Sequence, residues 1–367
     1  MRRQITLILT LLATFSLLAA ACGSDEAASP IEGCPLIPSA DGVDENNDFT
    51  VALAFDLLGR GDQSFNDSAA CGIETAKVAL GIDFSESVPN PDGSNRADIL
   101  QLGADNSDLV IGVGFEFETD GAAVGSANPG TKFAVIDSGM LDFANDAVPY
   151  GDNIAGLVFA EHEGSFLVGA AAALSSDSGK LGFIGGVSGL GGLIERFEAG
   201  FVAGAKEINP DIEVTVQYIS AAPDFAGFGA ADQAKDIANA MYANGADVVY
   251  HAAGGSGAGL FQAAKETSEA GDKVWAIGVD SDQYNTAGAD VQEFILTSML
   301  KRVDVAVYEI IAKSIAGDID PGPTTYDLSV DGVGYSRTGG FLDDHIDALE
   351  ELKTKVVSGE ITVSKEP

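Results

Sequence analysis

Apolar residues along this chain fall into short unbroken runs, and the stretches between several of them carry helical spacing. The first series of runs is TVALAF (50–55), LVIGVG (109–114), KFAVID (132–137) and IAGLVF (154–159). A second series follows: KLGFIGG (180–186), EVTVQYI (213–219), DVVYHAA (247–253), VWAIGVD (274–280) and FILTSML (294–300). Continuous rather than alternating apolar runs are the mark of parallel strands covered on both faces. The clearest amphipathic stretches are 160–176, 193–208, 230–245 and 301–317, the last three closing near Gly or Asn. Strand and helix in alternation predict an α/β protein built from doubly wound, mostly parallel sheets. The strand series restarts after the alanine-rich helix, and the length exceeds what one small core organises, so two similar lobes are expected.

Polar residues gather where those runs end. Asp56, Asp137 and Asp280 close or follow strands, Gly254, Gly255 and Gly257 follow DVVYHAA, and Lys301 follows FILTSML. In open α/β sheets ligands sit beyond the carboxyl ends of the strands, so these residues outline a cleft between the lobes. A single aspartate there is an ordinary turn or cap residue; the repetition is what points to a site. Phe65, between Ser64 and Asn66 in a glycine-rich loop, and Tyr250 supply flat faces for a ring. Asp56 and Asn66 can read the ring's edge, while Asp137, Asp280 and Lys301 can hold hydroxyls. Backbone amides of the glycine loop at Gly255 can face the same guest. Tyr250 and His251 are adjacent, so a one-residue shift of the strand decides which of them faces the cleft.

Charge and motif content narrow the chemistry. The formal net charge is −37, a surface that repels phosphate backbones and excludes nucleic acid as a partner. There are only three histidines and three cysteines, with no CxxC, HExxH, GxSxG or phosphate-binding loop, so no metal site, cofactor or catalytic function is expected. A nucleoside hydrolase on the same cleft is the remote alternative, weakened by the missing base and metal ligands.

The N-terminus adds an address. Arg2 and Arg3 precede an uncharged apolar stretch, 5–21, and small residues 19–21 precede Cys22. Residues 1–21 are expected to be an export signal, and the small residues before Cys22 resemble a lipobox in which that cysteine is lipidated. Residues 22–47 then form a tether, which places the protein on the extracytoplasmic face of a bacterial membrane, held by a lipid anchor. With Cys22 lipidated, Cys34 and Cys71 remain as an even pair in an oxidising compartment, a candidate disulfide.

The stretch VALAFDLLGRGDQSFNDSAACGIETAK, together with YHAAGG and GVDSDQ, resembles the basic membrane protein family, substrate-binding lipoproteins of ABC importers similar to purine nucleoside receptors. The likeness runs from Thr50 to about Gly359. It implies a type I periplasmic-binding-protein fold with lobe 1 over 48–159 and 281–322 and lobe 2 over 160–280 and 323–362. It also implies a purine nucleoside (inosine, guanosine or adenosine) stacked on Phe65, and an ABC permease and ATPase as partners. Some members of such families serve as surface sensors for other flat or sugar-bearing solutes, which is the alternative function.

Overall fold

The computed structural model describes residues 31–367 apart from 32, 41, 44, 47 and 272; the expected signal segment, Cys22 and the start of the tether lie outside the described residues. The first sheet contains β1 (Thr50–Ala54), β2 (Asp83–Ser87), β3 (Leu109–Gly112) and β4 (Lys132–Ile136). After a small hairpin of β5 (Leu141–Asp142) and β6 (Val148–Pro149), β7 (Ile154–Phe159) continues that sheet. The second sheet contains β8 (Lys180–Ser188), β9 (Glu213–Ala221), β10 (Val248–Ala252), β11 (Trp275–Asp280) and β12 (Ile295–Lys301). A strand β13 (Gly322–Tyr326) then returns to the first sheet and β14 (Val333–Tyr335) to the second.

The orders are β13-β7-β4-β3-β1-β2 and β14-β12-β11-β10-β8-β9. All ladders in these two sheets are parallel except β12–β14. Both sheets therefore reverse direction after their first strand, between β1 and β3 and between β8 and β10. A reversal of strand order leaves a crevice at the carboxyl ends, because the flanking helices there run off to opposite faces.

Ten helices complete the described residues: α1 (Phe65–Leu80), α2 (Arg96–Asn106), α3 (Glu118–Ala127), α4 (Glu161–Ser175), α5 (Leu193–Ile208), α6 (Ala231–Ala243), α7 (Gly257–Ala270), α8 (Gln283–Thr286), α9 (Val303–Ala316) and α10 (Ile346–Val357). None is long and apolar enough to cross a membrane. Helices α4 and α5 pack most closely, and glycine is the reason: a Cβ at Gly200 or Gly204 would collide with the carbonyls of His162 and Phe166.

Strand membership corrects the expected lobe boundaries. Residues 295–301, expected in lobe 1, pair with β11 in the second sheet, and 323–326, expected in lobe 2, pair with β7 in the first. Helix α9 packs on α1, so the chain crosses after Phe159, after Lys301 and between Tyr326 and Val333. The strands of the two large sheets that the apolar pattern did not reveal, DFSES, GPTTY and VGY, all lie at sheet edges. An edge strand is covered less and need not carry a continuous apolar run, although β9, the remaining edge, does contain the run EVTVQYI.

Cys34 and Cys71 are disulfide-bonded, their Cα atoms 5.4 Å apart. The bond fastens the segment before β1 to α1. Beside it, the Arg302 guanidinium donates to the Leu36 carbonyl, the Ala40 amide donates to the Tyr308 hydroxyl, and Ile37 is buried.

Candidate functional site: the cleft between the sheets

The carboxyl ends of the two sheets face each other across a cleft of about 680 Å³, its open mouth included. From the first sheet come Asp56, Leu58, Asp62, Phe65, Gly114, Phe115, Glu116 and Asp137; from the second come Leu193, Ile194, Phe197, Phe228, Ala252–Gly254, Val279, Asp280 and Lys301.

The loop after β1 is shaped by its own acids. The Asp62 carboxylate accepts from the amides of Ser64 (3.0 Å), Asn66 (2.8 Å) and Asp67 (3.1 Å), satisfying the open donors at the start of α1. Asp67 in turn accepts from the amides of Gly61 and Gln63. Phe65 is thereby fixed as the first residue of α1 with its ring at the cleft. The Asn66 amide donates to Asp56 at 2.7 Å and to Asp62 at 3.2 Å, and its side chain is fully buried. This corrects the expected role of Asn66: it aims Asp56 rather than meeting a guest. Burial pushes the Asp56 carboxyl up to about 6, against the lowering effect of the Asn66 bond.

Lys301 ends β12; it does not open the following helix, as its place before an amphipathic stretch had suggested. Its ammonium lies 2.7 Å from Asp137 of the other sheet and 3.9 Å from Glu161. The rings of Phe65, Phe159 and Phe197 have their centroids 4.9, 5.1 and 5.7 Å from it. Burial alone would lower the lysine, but Asp137, Glu161 and Asp280 outweigh it and hold the group charged. Asp280 is pushed by burial up to about 6, with Lys301 and a 2.5 Å hydrogen bond from the Ser64 hydroxyl pulling the other way.

That last bond crosses between the sheets, and it is one of a set. The Ser281 hydroxyl donates to the Ser64 carbonyl (2.9 Å), while the Gln283 amide (3.0 Å) and the Thr286 hydroxyl (3.2 Å) donate to the Gln63 carbonyl. The lobes are clasped beside Phe65.

Tyr250, its alternative His251 and Gly255 are absent from the cleft wall. Tyr250 is fully buried among Phe183 and Phe201, with its hydroxyl 3.2 Å from Ser165. His251 points to the other face of β10 and bonds Gln283 at 3.0 Å, and burial lowers its imidazole to about 4. Both faces of a central strand are covered, so neither side chain reaches the opening at its end. Gly255 is replaced at the cleft by Gly254; it packs at the seam near Leu58 and Asp62.

The aromatic faces on the second lobe are Phe197 and Phe228, neither of them singled out in the sequence. Phe228 sits between Gly227 and Gly229, a context like that of Phe65, and that signal could have found it. Phe197 lies in the apolar stripe of α5 and reads as core. Phe115 follows directly on the LVIGVG run, where the strand-end rule applied.

Among the described residues, no three His, Cys, Asp or Glu side chains are grouped as a metal would need. With two lobes joined by three crossings and a charged, aromatic cleft between them, the fold and site define a two-lobed solute-binding protein. The chain belongs to the family described as ABC transporter substrate-binding protein PnrA-like (Bmp), which residues 49–366 match. This is a family of binding proteins, not enzymes. It is 36% identical over 339 residues to the CD4+ T-cell-stimulating antigen of Listeria monocytogenes serovar 1/2a, covering 88% of this chain and 90% of that one. It is 34% identical to the ABC transporter nucleoside-binding protein BmpA of Lactococcus lactis subsp. cremoris, covering 86% and 89%. Among solved structures, a solute-binding protein of an ABC transporter system from Aeropyrum pernix K1 superposes with a TM-score of 0.72 at 28% identity, covering 86% and 93%.

Proposed function

We propose that this protein captures a purine nucleoside in the interlobe cleft and hands it unchanged to an ABC permease and ATPase, while Cys22 anchors it by lipid to the outer face of the cell membrane. The observation that carries this reading is the meeting of two kinds of chemistry in one space. Phe65, Phe197 and Phe228 offer aromatic faces to a planar base, and Asp56 offers an acceptor to its edge. At the other end Asp137, Asp280 and Lys301 form a charged group suited to vicinal hydroxyls, which can donate to the carboxylates and accept from the ammonium. A phosphate would meet several acids and one lysine whose charge is already matched, so a nucleoside suits the cleft better than a nucleotide. The nucleoside-binding relative from Lactococcus supports the same ligand class.

Calorimetric titration of the purified protein with inosine, guanosine and adenosine tests the reading. Saturable binding of at least one supports it, and no binding of any of the three overturns it.

A further inference from the structure

Glu161 is the first residue of α4, directly past the crossing at Phe159, and it is absent from the cleft wall. Its side chain is 1% exposed. One carboxylate oxygen lies 3.9 Å from the Lys301 ammonium, and the other lies 3.7 Å from the Arg196 guanidinium with no hydrogen bond to any group. An acid this deep with an oxygen that accepts no hydrogen bond is expensive to keep charged. The buried Asp62, by contrast, accepts from three backbone amides.

We propose that Glu161 is a positioning residue acting through Lys301: the proton it gains or loses decides how freely the ammonium can serve a guest in the cleft. The inference rests on the nucleoside reading above and deepens it. When Glu161 is neutral, the hydrogen bond of the ammonium among the described residues is the one to Asp137 at 2.7 Å, and Lys301 lines the cleft. When Glu161 is ionised, a second carboxylate behind the ammonium draws it back toward α4 and competes with the guest. A guest also excludes water from the cluster, which disfavours the extra charge, so binding carries proton uptake at Glu161.

The charged and titratable surroundings are few. Lys301 on β12 and Arg196 on α5 favour ionisation; Asp137 after β4 opposes it. Asp280 on β11 acts on the same lysine, and the buried Tyr250 phenol on β10 feels the Glu161 charge while remaining protonated. On α4 itself, burial keeps the His162 imidazole neutral and Glu163 accepts from the Leu328 amide. Burial is the dominant influence, pushing Glu161 up to about 7.

The sign follows. A group whose pKa rises on binding gives full affinity below the free-state value and loses it as pH climbs past that value. Guanosine affinity should fall between pH 6.5 and 8.5 by up to about tenfold, the equivalent of one unit of displacement. E161Q, uncharged at every pH, should abolish this alkaline limb. R196Q alters a partly exposed side chain and removes a cation from Glu161, so it should move the limb upward by some tenths of a pH unit. Calorimetry in two buffers of different ionisation enthalpy should show proton uptake near pH 7 in the wild type and none in E161Q. An E161Q protein that melts like the wild type and keeps the full alkaline limb overturns this inference and leaves the nucleoside reading intact. So does a limb that R196Q does not move. A wild-type protein that binds no nucleoside overturns both.

Discussion

Asp137 follows β4 and Asp280 ends β11, equivalent strands in the order of the two sheets; both have backbones in the left-handed region, at φ 64° and 63°, and both act on the charge of Lys301. That region is uncommon for a residue with a Cβ and costs on the order of 1 kcal/mol or more at each position. Its appearance at the same place in both lobes fits a shared job. The twist turns each carboxylate away from its own strand and into the gap, where the single charge of Lys301 offsets part of theirs.

Asp280→Asn should weaken nucleoside binding far more than binding of the free base, since the carboxylate faces the hydroxyl end of the cleft. Loss of a charged hydrogen bond predicts about 1.5–3 kcal/mol for the nucleoside. Parallel calorimetry with guanosine and guanine checks it, and equal losses would contradict the assignment of this end to the sugar.

Phe65→Ala removes the ring fixed at the start of α1. Base–aromatic stacking is worth about 1–3 kcal/mol by alanine substitution, so the dissociation constant should rise roughly 5- to 150-fold. The ring is only partly buried, so the melting temperature should change little. Titration and thermal melting of the same preparation measure the two effects.

Tyr250→Phe should separate stability from binding. The phenol bonds Ser165 inside the core and does not line the cleft, so its loss should cost about 1 kcal/mol of stability and leave affinity within a factor of two. A large drop in affinity would put Tyr250 back at the ligand.

Acidification should weaken binding through a different group. Asp56 is raised to about 6 and Asp280 likewise, so both lose their charge as pH falls through that value. A ligand edge that donates hydrogen bonds needs the ionised Asp56, so guanosine affinity should decline below pH 6. The apo fold should respond oppositely. An acid whose folded pKa exceeds its unfolded one carries a cost that is full above the folded value and gone below the unfolded one, so stability should rise through these two groups as pH falls from about 6 toward about 4. Binding and chemical denaturation across this range test both signs.

Reduction should loosen the strap before β1. Cys34–Cys71 closes a loop of 37 residues, and its loss should cost about 2–4 kcal/mol. Denaturant unfolding with and without reductant, checked against Cys34→Ser with Cys71→Ser, measures it.

The pattern of apolar runs was sufficient for the central strands of both sheets, because a strand covered on two faces must be apolar throughout. It also placed Asp56, Asp137, Asp280 and Lys301 at strand ends, where the doubly wound architecture puts its crevice, and Phe65 stood out by its polar, glycine-rich neighbours. The edge strands β2, β13 and β14 escaped because partial cover demands no such run, and the hinge crossings after Lys301 and after Tyr326 went unplaced, while the one after Phe159 was placed. Which of Tyr250, His251 or the glycines after them meets the cleft was decided by tertiary packing, since helices on both faces of β10 bury both side chains and leave only the strand's end open. Phe197 and Glu161 are likewise products of assembly: one reads as an ordinary core stripe and the other as an ordinary helix start. The second sheet's lysine and the opposing lobe's phenylalanines give them their surroundings, and contacts between residues so far apart in the chain leave no periodic trace in it.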